Sequence, residues 1–212
     1  MLATTLRPAL VMILFMTALT GIAYPLAVTS LSQAVFPERA NGSLLTRDGH
    51  VVGSALIGQT FTSERYFQGR PSATVAPDPA DPSKTVSAPY NAANSAGSNA
   101  GPTSKTLVDR VQTGVADYRQ ANGSAGPVPA DAATTSASGL DPHISPANAA
   151  AQVQRVATAR NLPPARVRAL VEAATEERTL GFLGERRVNV LLLNLALDDE
   201  QKDSQQASIQ SR

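Results

Sequence analysis

Residues 8–37 read PALVMILFMTALTGIAYPLAVTSLSQAVFP, thirty consecutive positions without a charged side chain. As a helix such a run extends about 45 Å, against roughly 30 Å of bilayer hydrocarbon. The spacing predicts a transmembrane helix over 8–36, preceded by a short tail at 1–7. The rival reading is a cleaved signal peptide, with Arg7 as a thin cationic region and Gly21-Ile22-Ala23 at the cleavage-determining positions. Against it, apolar character continues for a dozen residues past Ala23. Arg7 precedes the run, and Glu38 and Arg39 cancel after it, so the cationic bias favours a cytoplasmic N-terminus with the rest of the chain outside. Thr17 with Gly21, and Ala23 with Ala27, are small residues four apart that would let a neighbouring helix approach closely. Pro25 removes one backbone donor and reads as a tolerated kink.

The remainder cannot carry two cores. The chain has 212 residues, of which 35 are alanine and 55 are Val, Ile, Leu, Met, Phe or Tyr; 18 of the 55 fall in the first 37 positions. That leaves 37 bulky apolar side chains for 175 residues, enough for one small domain, expected over 37–198 and of α+β class. A net charge of +1 gives no basic face for a row of phosphates, so nucleic acid is not an expected partner. With no cysteine and only His50 and His143 as imidazoles, thiolate chemistry, disulfides and a His-rich metal centre are excluded.

Along that domain, His50 to Phe61 reads as a short strand and turn. From Arg70 to Gly101 the composition shifts to Pro, Ala, Ser, Gly and Asn, which reads as a disordered linker, with an ordered loop held by a partner as the alternative. Thr103 or Ser104 caps a helix carrying Leu107, Val111, Val115 and Tyr118, ended by Asn122-Gly123. Ser145-Pro146 reads as N-cap and first turn of a helix to Arg160 with Asn161 as terminator, and Pro163-Pro164 opens another with Val167, Leu170, Val171 and Ala174 on one side. Leu191, Leu193, Leu195 and Leu197 alternate, which predicts a buried strand over 188–197. Residues 199–212 read as a flexible polar tail.

No reacting constellation emerges. The stretch Gly97 to Thr106 is the nearest approach to a phosphate loop, but its glycines are one residue too close, Lys105 comes late and Pro102 deletes an amide. His143 reads as a turn or capping residue, and Glu172, Glu176 and Glu177 as a solvated face with Arg166, Arg168 and Arg178. There is neither an aspartyl-phosphate motif nor a potassium filter sequence.

Several segments carry a resemblance: Gly53-Ser54-Ala55-Leu56-Ile57-Gly58-Gln59, Tyr66-Phe67-Gln68-Gly69-Arg70-Pro71-Ser72-Ala73, Pro89-Tyr90-Asn91-Ala92, Gly97-Ser98-Asn99, Ser138 to Ser145, Gln152 to Ala157, Phe182-Leu183-Gly184-Glu185, Val188 to Leu191 and Asn194 to Leu197. In this order they resemble the C subunit of the Kdp potassium-transporting P-type ATPase. Departures are Ala96, Ala100, a proline-rich insert at 75–84 and the unmatched tail. The resemblance implies a non-catalytic accessory subunit of the bacterial inner membrane, single-pass, assembled with a potassium-channel-like A subunit, an ATP-hydrolysing B subunit and a small F subunit. No cofactor is expected to bind firmly, ATP and potassium being handled by the complex. The family is described as a catalytic chaperone for ATP use, with a glutamine, here Gln152, proposed to touch nucleotide. The topology read from Arg7 puts Gln152 across the membrane from cytosolic ATP, so coupling through partner subunits is the expected route. Expected partner contacts are Tyr66, Phe67, Arg70 and Pro71, with Tyr90, Asn91, Ser98 and Asn99, plus Thr17, Gly21, Ala23 and Ala27 within the membrane. A membrane-anchored solute- or polymer-binding module is the alternative.

Overall fold

The computed structural model describes residues 2–210, with side chains for 5–202; residue 1, the side chains of 203–210 and positions 211–212 of the expected tail lie outside the described residues. Two compact units divide the chain, the first ending at Val52 and the second starting at Gly53.

In the first unit, α1 (Leu2–Ala18), a π-helical turn (Leu19–Ala23) and α2 (Tyr24–Val35) form one apolar rod. It spans 31 residues from Thr5 to Val35, with an 18-residue window of mean hydropathy 2.0 and no buried residue, so the helix is long and apolar enough to cross a membrane. Where a kink is expected, the backbone widens instead. Pro25 has no N–H to offer the carbonyl four residues back, and Tyr24 N–H reaches Leu19 O, five back, which is the π pattern. Phe36 leaves the helical region at φ −134°, as a residue before proline does, and α3 (Pro37–Ala40) follows. Strands β1 (Leu44–Arg47) and β2 (His50–Ser54) pair through the two-residue turn Asp48-Gly49, both at positive φ (52° and 79°), the signature of a primed hairpin turn.

The second unit is the α+β domain. Strands β3 (Val75–Pro77) and β4 (Thr85–Ser87) pair antiparallel with Ala76 opposite Val86. Helix α4 (Lys105–Asn122) ends on Gly123 at φ 59°, and a short α5 (Ala130–Ala133) follows. Strand β5 (His143–Ile144) leads into α6 (Pro146–Arg160). The Ser145 hydroxyl accepts from Asn148 N–H, Pro146 fills the first turn, and Asn161 at φ 56° closes it, with Leu162 N–H returning to Ala157 O at 3.0 Å. After α7 (Pro164–Ala173), strands β6 (Thr175–Glu176) and β7 (Arg187–Asn189) complete an antiparallel sheet in the order β5-β7-β6.

The predicted strand at 188–197 is a helix: α8 runs from Val190 to Gln210, and only Val188 and Asn189 of the run belong to β7. Asn189 Oδ1 accepts from Leu192 N–H at 3.1 Å, turning the chain into the helix. Buried Val190, Leu193, Asn194 and Leu197 then fall at helical spacing. The core joins these to Ala149, Val153, Val156 and Ala157 of α6, Val167 and Val171 of α7, Ile144 and Val188 of the sheet, and Phe67.

The stretch 70–101 has defined structure. Its short polar side chains bind main chain: Ser72 Oγ donates to Gly139 O (2.7 Å), Thr74 Oγ1 to Ala88 O (2.6 Å), and Asn91 Nδ2 and Asn94 Nδ2 each to Val75 O (2.9 Å). Such bonds replace the ladder that the prolines forbid.

Candidate functional site

The residues that carry the sequence resemblance converge on segment 64–70, which lies in neither helix nor strand yet has its backbone groups answered by side chains of α6 and α8. Asn194 Oδ1 accepts from Phe67 N–H at 2.8 Å while its Nδ2 donates to Phe67 O at 3.0 Å. Gln152 does the same to the next residue, accepting from Gln68 N–H at 2.8 Å and donating to Gln68 O at 3.1 Å. Two side-chain amides therefore act as strand neighbours, one on each helix. Arg155 Nη1 donates to Glu64 O (2.7 Å) and Tyr66 O (3.0 Å), and Arg160 Nε to Arg65 O (2.6 Å). Arg160 also pairs with Asp198 at 2.8 Å and stacks over Tyr66, 4.8 Å from the ring centroid.

Gln152 is 1% exposed. Besides its bonds to Gln68, Oε1 accepts from Arg155 Nη2 (2.7 Å) and Nε2 donates to Asn148 Oδ1 (2.9 Å). An amide side chain has two donors and two principal acceptor sites, and here all four are taken within the chain. Gln152 is thus a buried residue whose polar atoms are engaged inside the domain. Asn148 extends the network: its Oδ1 accepts from Tyr118 OH at 2.9 Å and its Nδ2 donates to Asp131, which also receives Ser145 N–H and Oγ–H. Burial, with the Asp131 charge nearby, pushes the Tyr118 phenol up to about 12.

A second cluster fastens the loop. Arg70 Nη1 bonds Asp141 Oδ2 at 3.0 Å, and Nη2 donates to Thr135 O at 3.2 Å. Burial would raise the Asp141 pKa, but His143, through its ring and its backbone N–H, and Arg70 together hold it below the usual carboxylate value. Tyr90, at φ 59°, donates its hydroxyl to Arg70 O at 2.6 Å, and burial pushes that phenol up to about 12.

Of the expected partner contacts, Phe67 is 0% exposed in the core, so its ring has no surface to offer. Tyr66, Arg70, Tyr90 and Asn91 are half-buried and bonded within the domain, Pro71 is half-buried, and Ser98 and Asn99 are exposed. Thr17, Gly21, Ala23 and Ala27 are exposed on the apolar rod. Glu172 and Glu177 pair with Arg186, and Glu176 with Arg187, in place of the arginines expected for them. His143 lies in β5 beside Asp141 and not in a turn. Sequence reasoning missed Asn148, Asp131 and Arg160; the one available signal was Asn189 and Asn194 interrupting an apolar run.

Between α4 and segment 59–72 lies a cleft of ≈ 710 Å³, with Phe61, Tyr90, Arg110, Tyr118 and Gln152 in its wall. Among the described residues no cluster of metal-ligating side chains occurs.

A helix long and apolar enough to cross a membrane, followed by one small α+β domain, defines the class: a chain with a single candidate membrane span among the described residues. Comparison with known proteins makes this particular. Residues 6–199 match the family model described as KdpC, the K+-transporting ATPase c chain. The potassium-transporting ATPase KdpC subunit of Methylorubrum populi is 62% identical over 196 residues, covering 92% of this chain and 97% of that protein. That of Bradyrhizobium diazoefficiens is 60% identical over 193 residues, covering 91% and 96%. The chain belongs to the KdpC family, the non-catalytic subunit of the Kdp potassium-transporting ATPase.

Proposed function

We propose that this chain stabilises the assembled transporter from the extracytoplasmic side and influences ATP use only through its partners. In this reading α1–α2 packs among the membrane helices of the complex, the N-terminus is cytoplasmic, and the domain stands over the potassium entry side. The channel-like A subunit, the ATP-hydrolysing B subunit and the small F subunit are its partners, and they, not this chain, hold potassium and ATP.

The observation that carries the reading is the saturation of Gln152: 1% exposed, with every polar valence used internally. Contact with nucleotide would require breaking bonds that anchor segment 64–70. One candidate span occurs among the described residues, so a domain outside the membrane has no second crossing by which to return to cytosolic ATP. A change in ATP affinity is then a coupling free energy between sites on different chains.

Photo-affinity labelling of the purified complex with an azido-adenine nucleotide tests this. Label is expected on the ATP-hydrolysing chain; label on a peptide containing Gln152 would overturn the reading. The cleft beside α4 favours the second reading, an anchored solute- or polymer-binding module. Copurification separates the two, since a subunit emerges in stoichiometric complex with large hydrophobic chains and a free solute binder emerges alone.

A further inference from the structure

Arg110 lies on α4, one turn before Gly114 and two before Asp117, and lines the cleft. Its Nε is buried and has no acceptor, the only side-chain polar atom in that condition among the described residues. Every neighbouring cation of the domain is answered: Arg70 by Asp141, Lys105 by Asp109 at 2.6 Å, Arg155 by Asn122 and Gln152. Asp109, the adjacent residue, is committed to Lys105, and Asp117 forms no ion pair with Arg110. A buried donor without an acceptor is costly, and more so when it is charged. A fold that satisfies four valences on Gln152 and leaves the buried Nε of Arg110 without an acceptor is short of one anion at this place.

We propose that the cleft receives a carboxylate side chain from another subunit of the transporter, and that Arg110 is its counter-ion. The proposal rests on the reading of the chain as an assembled subunit. A guanidinium is suited to this: its planar donors take a carboxylate in pairs, and it is weakly hydrated, so it tolerates enclosure at an interface. The terminal nitrogens of Arg110 make no hydrogen bond or ion pair among the described residues, and the side chain lines the cleft. Around the charge, Phe61, Tyr90 and Tyr118 with the small residues Gly114, Ala132 and Ala133 give an apolar wall, in which an ion pair is shielded from solvent and its loss is felt strongly. A carboxylate is favoured over a phosphate because the other charged groups of the wall are Asp117 and Arg70, and Arg70 is already paired with Asp141, which leaves Arg110 alone to balance an incoming negative charge.

The test uses the whole complex and the full-length chain in detergent. Arg110→Gln removes the unanswered charge at nearly constant size, Arg110→Glu reverses it, and Arg110→Lys keeps it. The chain alone should unfold at the same temperature as the parent, or higher, when Arg110→Gln is introduced, because an unanswered charge has gone. Its retention in the complex on salt washing should nevertheless fall about tenfold or more, with Arg110→Glu weaker still and Arg110→Lys between. A photo-crosslinker at Thr113 should capture another subunit. The proposal is overturned if the variants assemble like the parent, if chain stability and assembly fall together, or if the crosslink is to a second copy of this chain. It is also overturned if glutarate at millimolar concentration protects the isolated chain through Arg110 while assembly is unaffected, since a free carboxylate would then be the ligand. Failure of the unmodified chain to copurify would instead strike the proposed function.

Discussion

The side-chain amide of Gln152 grips the main chain of Gln68 by both polar atoms, accepting its N–H at 2.8 Å and donating to its carbonyl at 3.1 Å, across 84 residues of sequence. With Asn194 gripping Phe67 in the same manner, consecutive residues of an irregular segment are hydrogen-bonded to opposite helices. The resemblance motifs around Gln68, Gln152 and Asn194 thereby become one physical object: a strap and its two clasps.

Gln152→Ala leaves the N–H and carbonyl of Gln68 and one donor of Arg155 without partners. The full-length chain should lose about 1–3 kcal/mol in urea unfolding. Any loss of ATP affinity in a complex bearing this variant should recover when the fraction of folded, assembled subunit is matched to the parent, because the residue acts on the fold.

Asn194→Ala should cost a similar amount, and the double variant less than the two added together. Once either clasp opens, segment 64–70 loosens as a unit, so a coupling of roughly 0.5–3 kcal/mol is expected in the double-mutant cycle. Strict additivity would mean that the clasps hold independent structures.

Asp141, hydrogen-bonded by His143 and by Arg70, fixes a pH dependence. The folded carboxyl titrates below its ordinary value, so its stabilising effect is complete above the unfolded carboxylate range, ~4, and drains away as pH falls through the lower folded value. The stability difference between the parent and Asp141→Asn should stay constant from neutral pH down to that range and then shrink with further acidification. A difference that grew on acidification would reverse the assignment.

Gly139 shows where a single methyl is not tolerated. It sits at φ 68°, and an added Cβ would lie 2.5 Å from Thr74 Cγ2 and 2.6 Å from Ala96 O. Gly139→Ala should destabilise by more than about 1 kcal/mol, whereas Gly126→Ala, whose nearest neighbour would be 3.6 Å away, should change little.

The legibility of the chain followed the locality of its signals. The membrane-crossing helix, α4 and α6 were readable because an uncharged run, the Gly123 stop, and the Ser145-Pro146 start with its Asn161 stop act within a few residues of themselves. The strand predicted at 188–197 failed because an almost continuous leucine run fits period two and period 3.6 alike; Asn189 as a cap decided it. Stretch 70–101 read as disorder because composition counts Ser72, Thr74 and Asn91 as polar without knowing which carbonyls they reach. The clasps were hidden for a stronger reason: they bind the backbone of residues 67 and 68, so nothing in those side chains announces the pairing.

The central claim, a domain outside the cytoplasm acting on its neighbours through its fold, is tested most directly by one label. The chain has no cysteine, so Ala80→Cys, at an exposed loop position, provides a single thiol. A membrane-impermeant maleimide should modify it in intact spheroplasts containing the functional transporter, with no gain on permeabilisation. Modification only after the membrane is opened would place the domain beside cytosolic ATP and contradict the account.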